Sequence, residues 1–206
     1  ATNTMPVDDW RRATVLSWLT MAMTSLKLGL FVLLYLKRRH GIPFMEFISH
    51  LGDRLMPAGM GGTLRRELVI YNDRANAMLN GAGHASVLPG YGDLYWDEEE
   101  SSFLRIVEQK DAFYSELFEI LGDFLAGRGI KCPEREVAEV VLYQRIRIPS
   151  LATGTGNRTS YEFAFSIPGY FESLLRGCHA AFEQKPCIAD VHARAFDGDK
   201  VRFARD

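Results

Sequence analysis

The stretch that most constrains the fold of this chain runs from Tyr95 to Gly129. Asp97 precedes three consecutive glutamates and has capping-box spacing to Glu100, so a helix should begin there. The helix dipole also favours negative charge in a first turn. Apolar residues then recur at helical spacing as far as Gly127, a typical helix end. The pattern predicts one helix of about 30 residues, roughly 45 Å long, along which other elements must pack.

Composition is that of an ordinary globular protein. The 206 residues are 47% apolar and 24% charged, and 24 basic against 26 acidic side chains give a net charge of −2. No cluster of Lys and Arg alternates with aromatic residues, so we expect no nucleic-acid partner. Three cysteines are too few for a disulfide scaffold, which favours free thiols and a cytoplasmic location.

An apolar run from Thr14 to Leu36 contains one charged residue, Lys27. The run is long enough for a membrane-spanning helix. However, Lys27 would then lie near the bilayer centre at a cost of about 3 kcal/mol. The pattern favours a buried helix, broken near Ser25 or Gly29, over a membrane span.

Further helices are predicted on both sides of the central stretch. Helical spacing of apolar residues indicates them at 43–55, 63–79, 133–148 and 168–176. The glycine-rich segments 56–62 and 84–93 are predicted loops, and 151–158 is a predicted flexible linker.

The C-terminal part changes period. Tyr161, Phe163 and Phe165 alternate with less apolar residues, which predicts a strand. Two more strands are expected at 187–195 and 200–205, joined by a hairpin turn at Asp197-Gly198. The sequence therefore predicts a mainly α fold, with a helical bundle (1–150) around the long central helix. A small α/β C-terminal unit (151–206) should pack on it.

Candidate site residues lie just before the central helix. Tyr91, Tyr95 and Trp96 have large rings with a polar group, which suit them to line a substrate pocket, and His84 lies in the same segment. Anchoring the start of the helix in the core would explain these rings equally well. A lone histidine in a loop is often only a surface residue.

Neither metal binding nor catalysis is predicted. Cys178, His179, Cys187 and His192 lack the short spacings typical of zinc ligands. The glycines of 154–157 are not followed by the Gly-Lys-Ser/Thr of a phosphate-binding loop. No residue set in this chain is predicted to be catalytic.

Three stretches, in this order, resemble the C-terminal region of cobalamin-dependent radical SAM enzymes. A helix pair resembles FVLLYLKRRHGIPFMEFISHL. The segment after the catalytic barrel of those enzymes, where an aromatic and acidic turn opens a long helix, is similar to GDLYWDEEESSFLRIVEQKDAFYSELFEIL. Their tail is similar to VLYQRIRIPS followed, after a polar gap, by YEFAFSIPGYFESLLRG.

This resemblance implies a substrate-capping domain at the C-terminus of a larger enzyme, most simply a C-methyltransferase. Its partners would be the barrel and cobalamin-binding domains of that enzyme and a small-molecule or peptide substrate. The parent would use cobalamin, S-adenosylmethionine and a [4Fe-4S] cluster. The chain opens on Ala1 and enters a helix pattern almost at once, so we expect a fragment.

The resemblance also implies a limit. The cluster-binding pattern CxxxCxxC of that family is missing, because Cys132, Cys178 and Cys187 are far apart. This chain alone should therefore bind none of the three cofactors. An alternative is a stand-alone helical interaction module, whose helix at 14–36 docks on a partner or a membrane.

Overall fold

The computed structural model describes residues 5–54, 62–151, 158–192, 194 and 196–205. Over these residues the chain forms nine helices and four short strands. The helices are α1 (Val7–Thr24), α2 (Leu30–His40), α3 (Phe44–Arg54), α4 (Thr63–Leu79), α5 (Glu98–Glu108), α6 (Lys110–Gly127), α7 (Glu134–Ile146), α8 (Ile167–Leu175) and α9 (Lys200–Arg205). The strands are β1 (Ala85–Val87), β2 (Tyr95–Asp97), β3 (Arg158–Phe163) and β4 (Cys187–His192). The predicted mainly α fold with a small strand-containing C-terminal part is confirmed.

The apolar run at 14–36 lies in two helices, α1 and α2, which each bury part of their surface in the core and are separated by a turn at the predicted place. Lys27 lies in this turn with φ 62° and is exposed. The fully buried side chain of Gln144 in α7 hydrogen-bonds the backbone on both sides of this turn. Its Nε2 donates to the Lys27 carbonyl (2.7 Å), and its Oε1 accepts from the Phe31 N–H (2.8 Å). No helix among the described residues is long and apolar enough to cross a membrane.

The amphipathic helices follow their predictions closely. Helix α4 has the predicted bounds, and α3 buries Phe47, Ile48 and Leu51 completely. Helix α7 begins directly after Pro133, and α8 is followed by Gly177 in the left-handed region at φ 72°. The predicted loop at 56–62 and linker at 151–158 lie almost wholly outside the described residues.

The central stretch is two helices, so the prediction of a single long one is wrong. The capping box at Asp97 is present, but Gln109 leaves the helical conformation (φ −123°, ψ 33°). The two halves pack on different partners: α5 lies mainly against α1 and α4, whereas α6 lies mainly against α7. Tertiary contacts interrupt the helix where neither proline nor glycine marks a break.

The segment predicted as a loop at 84–93 contains a strand. Strand β1 pairs antiparallel with β2, and Val87 lies opposite Tyr95. The connection uses Gly90 (φ 87°) and Gly92 (φ 84°) in the left-handed region. Strands of three residues are too short to show a clear alternation of apolar and polar side chains.

The C-terminal part pairs β3 with β4 antiparallel, with Phe163 opposite Cys187. The predicted strand at 200–205 is instead helix α9, so the predicted hairpin at Asp197-Gly198 is wrong. Those two residues do form a turn with positive φ. The Asp199 carboxylate then accepts from the Arg202 N–H (2.9 Å), which caps the helix.

Helix α7 connects the helical body to the C-terminal part. The carboxylate of its buried Glu139 accepts hydrogen bonds from the backbone N–H groups of Ala164 (2.8 Å) and Phe165 (3.1 Å). Beside them, the ring of Phe171 stacks on Tyr143 with centroids 5.2 Å apart. The C-terminal part is thus joined to α7 by both polar and apolar contacts.

Candidate functional site

Tyr91, one of the four predicted site residues, anchors the β1–β2 connection. Its side chain is 2% exposed, and its hydroxyl donates to Glu108 Oε1 (2.9 Å). Lys200 Nζ lies 2.6 Å from the same carboxylate oxygen and above the Tyr91 ring. Burial and the adjacent Glu108 carboxylate raise the pKa of Tyr91 far above its ordinary value. The phenol therefore acts as a neutral hydrogen-bond donor that ties the connection to α5.

Tyr95 and His84 lie on the surface of the hairpin. Tyr95 is 79% exposed, and with Val87 and Leu94 it forms an exposed apolar surface that we call the hairpin patch. His84 Nε2 lies 3.6 Å from Asp97 Oδ1, at the start of α5. Neither side chain is among those that line the cleft described next.

Trp96 lines a cleft of about 460 Å³, here called the Trp96 cleft. Successive side chains of a strand point to opposite faces, so Trp96 turns inward where Tyr95 turns outward. Most of the lining is apolar, with one carboxylate and one guanidinium added; the other lining residues are Leu26, Glu100, Phe103, Leu104, Pro149, Arg194, Phe196, Phe203 and Ala204.

The indole nitrogen of Trp96 has no hydrogen-bond partner among the described residues, although it is buried. A buried N–H without an acceptor costs about 1–3 kcal/mol. An acceptor that came within hydrogen-bond distance of this nitrogen would remove this cost. Apolar clefts with a few directed polar groups are typical of small-molecule sites.

A second cleft, of about 570 Å³, lies directly beside the first and shares Pro149 and Arg194 with it. We call it the cationic cleft, because its lining includes Lys110, Arg145 and Arg147. The two clefts are neighbours, one mostly apolar and the other positively charged, and we refer to the pair as the groove.

Of the residues that line this groove, the sequence predicted only Trp96 as a site residue. Phe196 and Phe203 were missed, because their region was predicted as a hairpin rather than a helix that folds back on α5. Their rings contact each other with centroids 4.9 Å apart. Lys110 and Arg147 carried no signal, since single basic residues at helix ends are common in any chain.

Among the residues that the structure describes, no three His, Cys, Asp or Glu side chains lie close enough together to hold a metal ion or cluster. Burial raises the pKa of the Cys132 and Cys187 thiols, so both are protonated rather than metal-binding thiolates. Cys178 is exposed and distant in sequence from Cys132. The described residues therefore do not fit an iron–sulfur cluster.

Comparison with known proteins adds no family. No protein-family model matches the chain, and no curated protein matches it. Function must therefore be argued from the groove itself and from the sequence resemblance, which stays a prediction.

Proposed function

We propose that the chain is the substrate-capping domain of a cytoplasmic cobalamin-dependent radical SAM enzyme, whose parent reaction is C-methylation. The Trp96 cleft carries the proposal, because its lining is mostly apolar and includes Trp96, whose buried indole N–H has no acceptor within the part of the chain that the structure describes. The sequence resemblance gives the class of enzyme. Cobalamin, S-adenosylmethionine and the cluster would be bound by other domains of the parent and would supply the radical and the methyl group.

The residues of this chain would bind the substrate and exclude water. Phe103, Phe196 and Phe203 offer apolar surface to the substrate body, and the Trp96 N–H would donate to an acceptor on it. Exclusion of water protects a reactive intermediate from side reactions. Binding of this kind orients a substrate without taking part in the chemistry.

The hairpin patch would contact the barrel domain. Val87 and Tyr95, which lie opposite each other on the hairpin, expose 46% and 79% of their surfaces, and Leu94, directly before β2, exposes 43%. Exposed apolar side chains that cluster in this way are typical of surfaces that a partner covers.

The first test is the DNA upstream of the codon for Ala1. The proposal expects an open frame that encodes a cobalamin-binding domain and then CxxxCxxC. A start codon directly before Ala1 would refute the proposal, and a stand-alone binding module would take its place.

The second test is the Trp96→Phe variant of the intact enzyme. This change removes the indole N–H and keeps an aromatic ring, so substrate affinity should fall about tenfold, as for one lost hydrogen bond. The matched control is Trp18→Phe, because Trp18 packs on Tyr71 outside the cleft. Equal affinities of both variants and the wild type would remove Trp96 from the site.

A further inference from the structure

The cationic cleft contains more positive than negative charge. Four basic side chains and two carboxylates line it, the carboxylates being Asp111 and Asp190. Both carboxylates already have partners. Asp111 Oδ1 accepts from Arg145 Nη2 (2.8 Å), and Asp190 accepts from Arg158 and from Ser160.

Lys110 and Arg147 are left without a carboxylate partner among the described residues. Lys110 Nζ donates to the backbone carbonyls of Ile148 (3.1 Å) and Pro149 (3.4 Å), which leaves one of its three N–H groups. The Arg147 guanidinium lies 6.0 Å from the centroid of the Tyr143 ring. Both side chains line the cleft and can donate to a ligand.

The surroundings of Lys110 favour a bound anion. Burial lowers the pKa of Lys110, and the nearby Arg145 lowers it further. A cation held in a desolvated and positive environment gains free energy when an anion approaches. Asp111 acts in the opposite direction but is the smallest of these influences.

We infer that the groove binds a small molecule that combines an oxyanion with an apolar body. The oxyanion lies at Lys110 and Arg147 in the cationic cleft, and the apolar body lies against Trp96 and Phe103 in the Trp96 cleft. This inference deepens the proposed function and rests on it in taking the molecule to be the substrate of the parent enzyme. The size of the two clefts fits a small ligand.

The test is isothermal titration of the full chain with four probes: phenyl phosphate, inorganic phosphate, benzoate and phenol. Phenyl phosphate engages both ends of the groove, so it should bind at least about tenfold more tightly than inorganic phosphate or phenol. Its binding should weaken as salt is added, because salt screens charges. If phenyl phosphate binds no better than inorganic phosphate, the inference is overturned.

Benzoate identifies the kind of oxyanion. Similar affinities for benzoate and phenyl phosphate would support the inference and mean that the site accepts either a carboxylate or a phosphate. Binding of phenyl phosphate alone supports a phosphate. Binding of neither overturns the inference.

The variant Arg147→Gln locates the oxyanion. Arg147 is exposed, and its replacement leaves no buried group unpaired. We expect the affinity for phenyl phosphate to fall about tenfold, because charge-assisted hydrogen bonds are the strong ones. The matched control is Arg176→Gln, which removes the same charge from an exposed side chain that does not line the cleft. Equal affinities of the two variants would overturn the placement at Arg147.

The two proposals can fail separately. An upstream frame without CxxxCxxC would refute the radical SAM assignment, and a groove that still binds phenyl phosphate would stand as a ligand site. An upstream frame with CxxxCxxC and no binding of the anionic probes would refute the substrate class alone.

Discussion

Between α4 and α5, the carboxylates of Glu67 and Glu98 share the guanidinium of Arg105. In α7, by contrast, the carboxylate of Glu139 accepts hydrogen bonds from backbone N–H groups of the C-terminal part. The first two carboxylates are 3% and 2% exposed, and each accepts from Arg105 at 2.8 Å. The third is 6% exposed and accepts two consecutive backbone N–H groups. Glutamate is thus buried in both regions: Glu67 and Glu98 bind guanidinium groups, whereas Glu139 binds backbone N–H groups in addition to Arg135 Nε (2.9 Å).

The difference has a consequence for sequence variation. A shared guanidinium requires one particular side chain, because Arg105 donates to both buried carboxylates, whereas Arg74 Nε lies 3.5 Å from Glu98 alone. Backbone N–H groups are present whatever side chain follows, so the hydrogen bonds from Ala164 and Phe165 to Glu139 depend on the path of the chain and not on those two side chains. The network around Arg105 thus depends on particular side chains, whereas the polar part of the C-terminal attachment depends on the backbone.

The largest expected effect is that of Arg105→Leu. The variant removes the guanidinium that both buried carboxylates accept from and leaves Glu98 with the more distant Arg74 Nε (3.5 Å), so the free energy of unfolding should fall by about 3–5 kcal/mol. Urea denaturation measures it. The control is Arg12→Leu, whose partner Asp53 is exposed; exposed pairs contribute less than about 1 kcal/mol. Similar losses in both variants would contradict a special role for the buried network.

A smaller and local effect is expected for Glu139→Ala. The backbone N–H groups of Ala164 and Phe165 lose their acceptor, at a cost of about 1–3 kcal/mol each if they stay buried. Hydrogen exchange should become faster at these two amides than in α4 or α5. The control is Glu162→Ala, an exposed position on β3. Unchanged protection at Ala164 and Phe165 would show that apolar contacts alone hold this part.

The smallest expected effect concerns pH. Burial raises the pKa of Glu67 above its ordinary 4.5, although Arg105 acts in the opposite direction. Because the folded pKa exceeds the unfolded one, protonation favours the folded state, and this contribution to stability is lost as pH rises through the folded pKa. The unfolding free energy of the wild type minus that of Glu67→Gln should therefore decrease as pH rises from the ordinary pKa of 4.5 through the folded pKa. A difference that increases with pH there would contradict the direction of the shift.

Much of the fold follows from local patterns in the sequence. Helix α4, the capping box at Asp97 and the break near Gly29 were predicted, because periodicity, caps and turn residues act within a few positions. A side chain at Gly29 would collide with Met23, which fits the predicted break. These features need no knowledge of distant residues.

The errors involve distant contacts or elements too short to give a local signal. The interruption at Gln109 depends on α1 and α7, and the hairpin of β1 and β2 is too short for a local signal. Helix α9 was mistaken for a strand, since six residues hold too little periodicity to distinguish the two. Of the groove, only Trp96 was predicted, because Phe196 and Phe203 reach it from a part of the chain about a hundred residues further on.

The interruption at Gln109 also shapes the surface. A straight helix presents a convex cylinder to its surroundings, and convex surfaces hold small molecules poorly. At the interruption, Gln109, Lys110 or both line three depressions of about 570, 800 and 490 Å³. The interruption thus lies beside concave surface, and Lys110, the first residue of α6, donates to the carbonyls of Ile148 and Pro149, which follow α7.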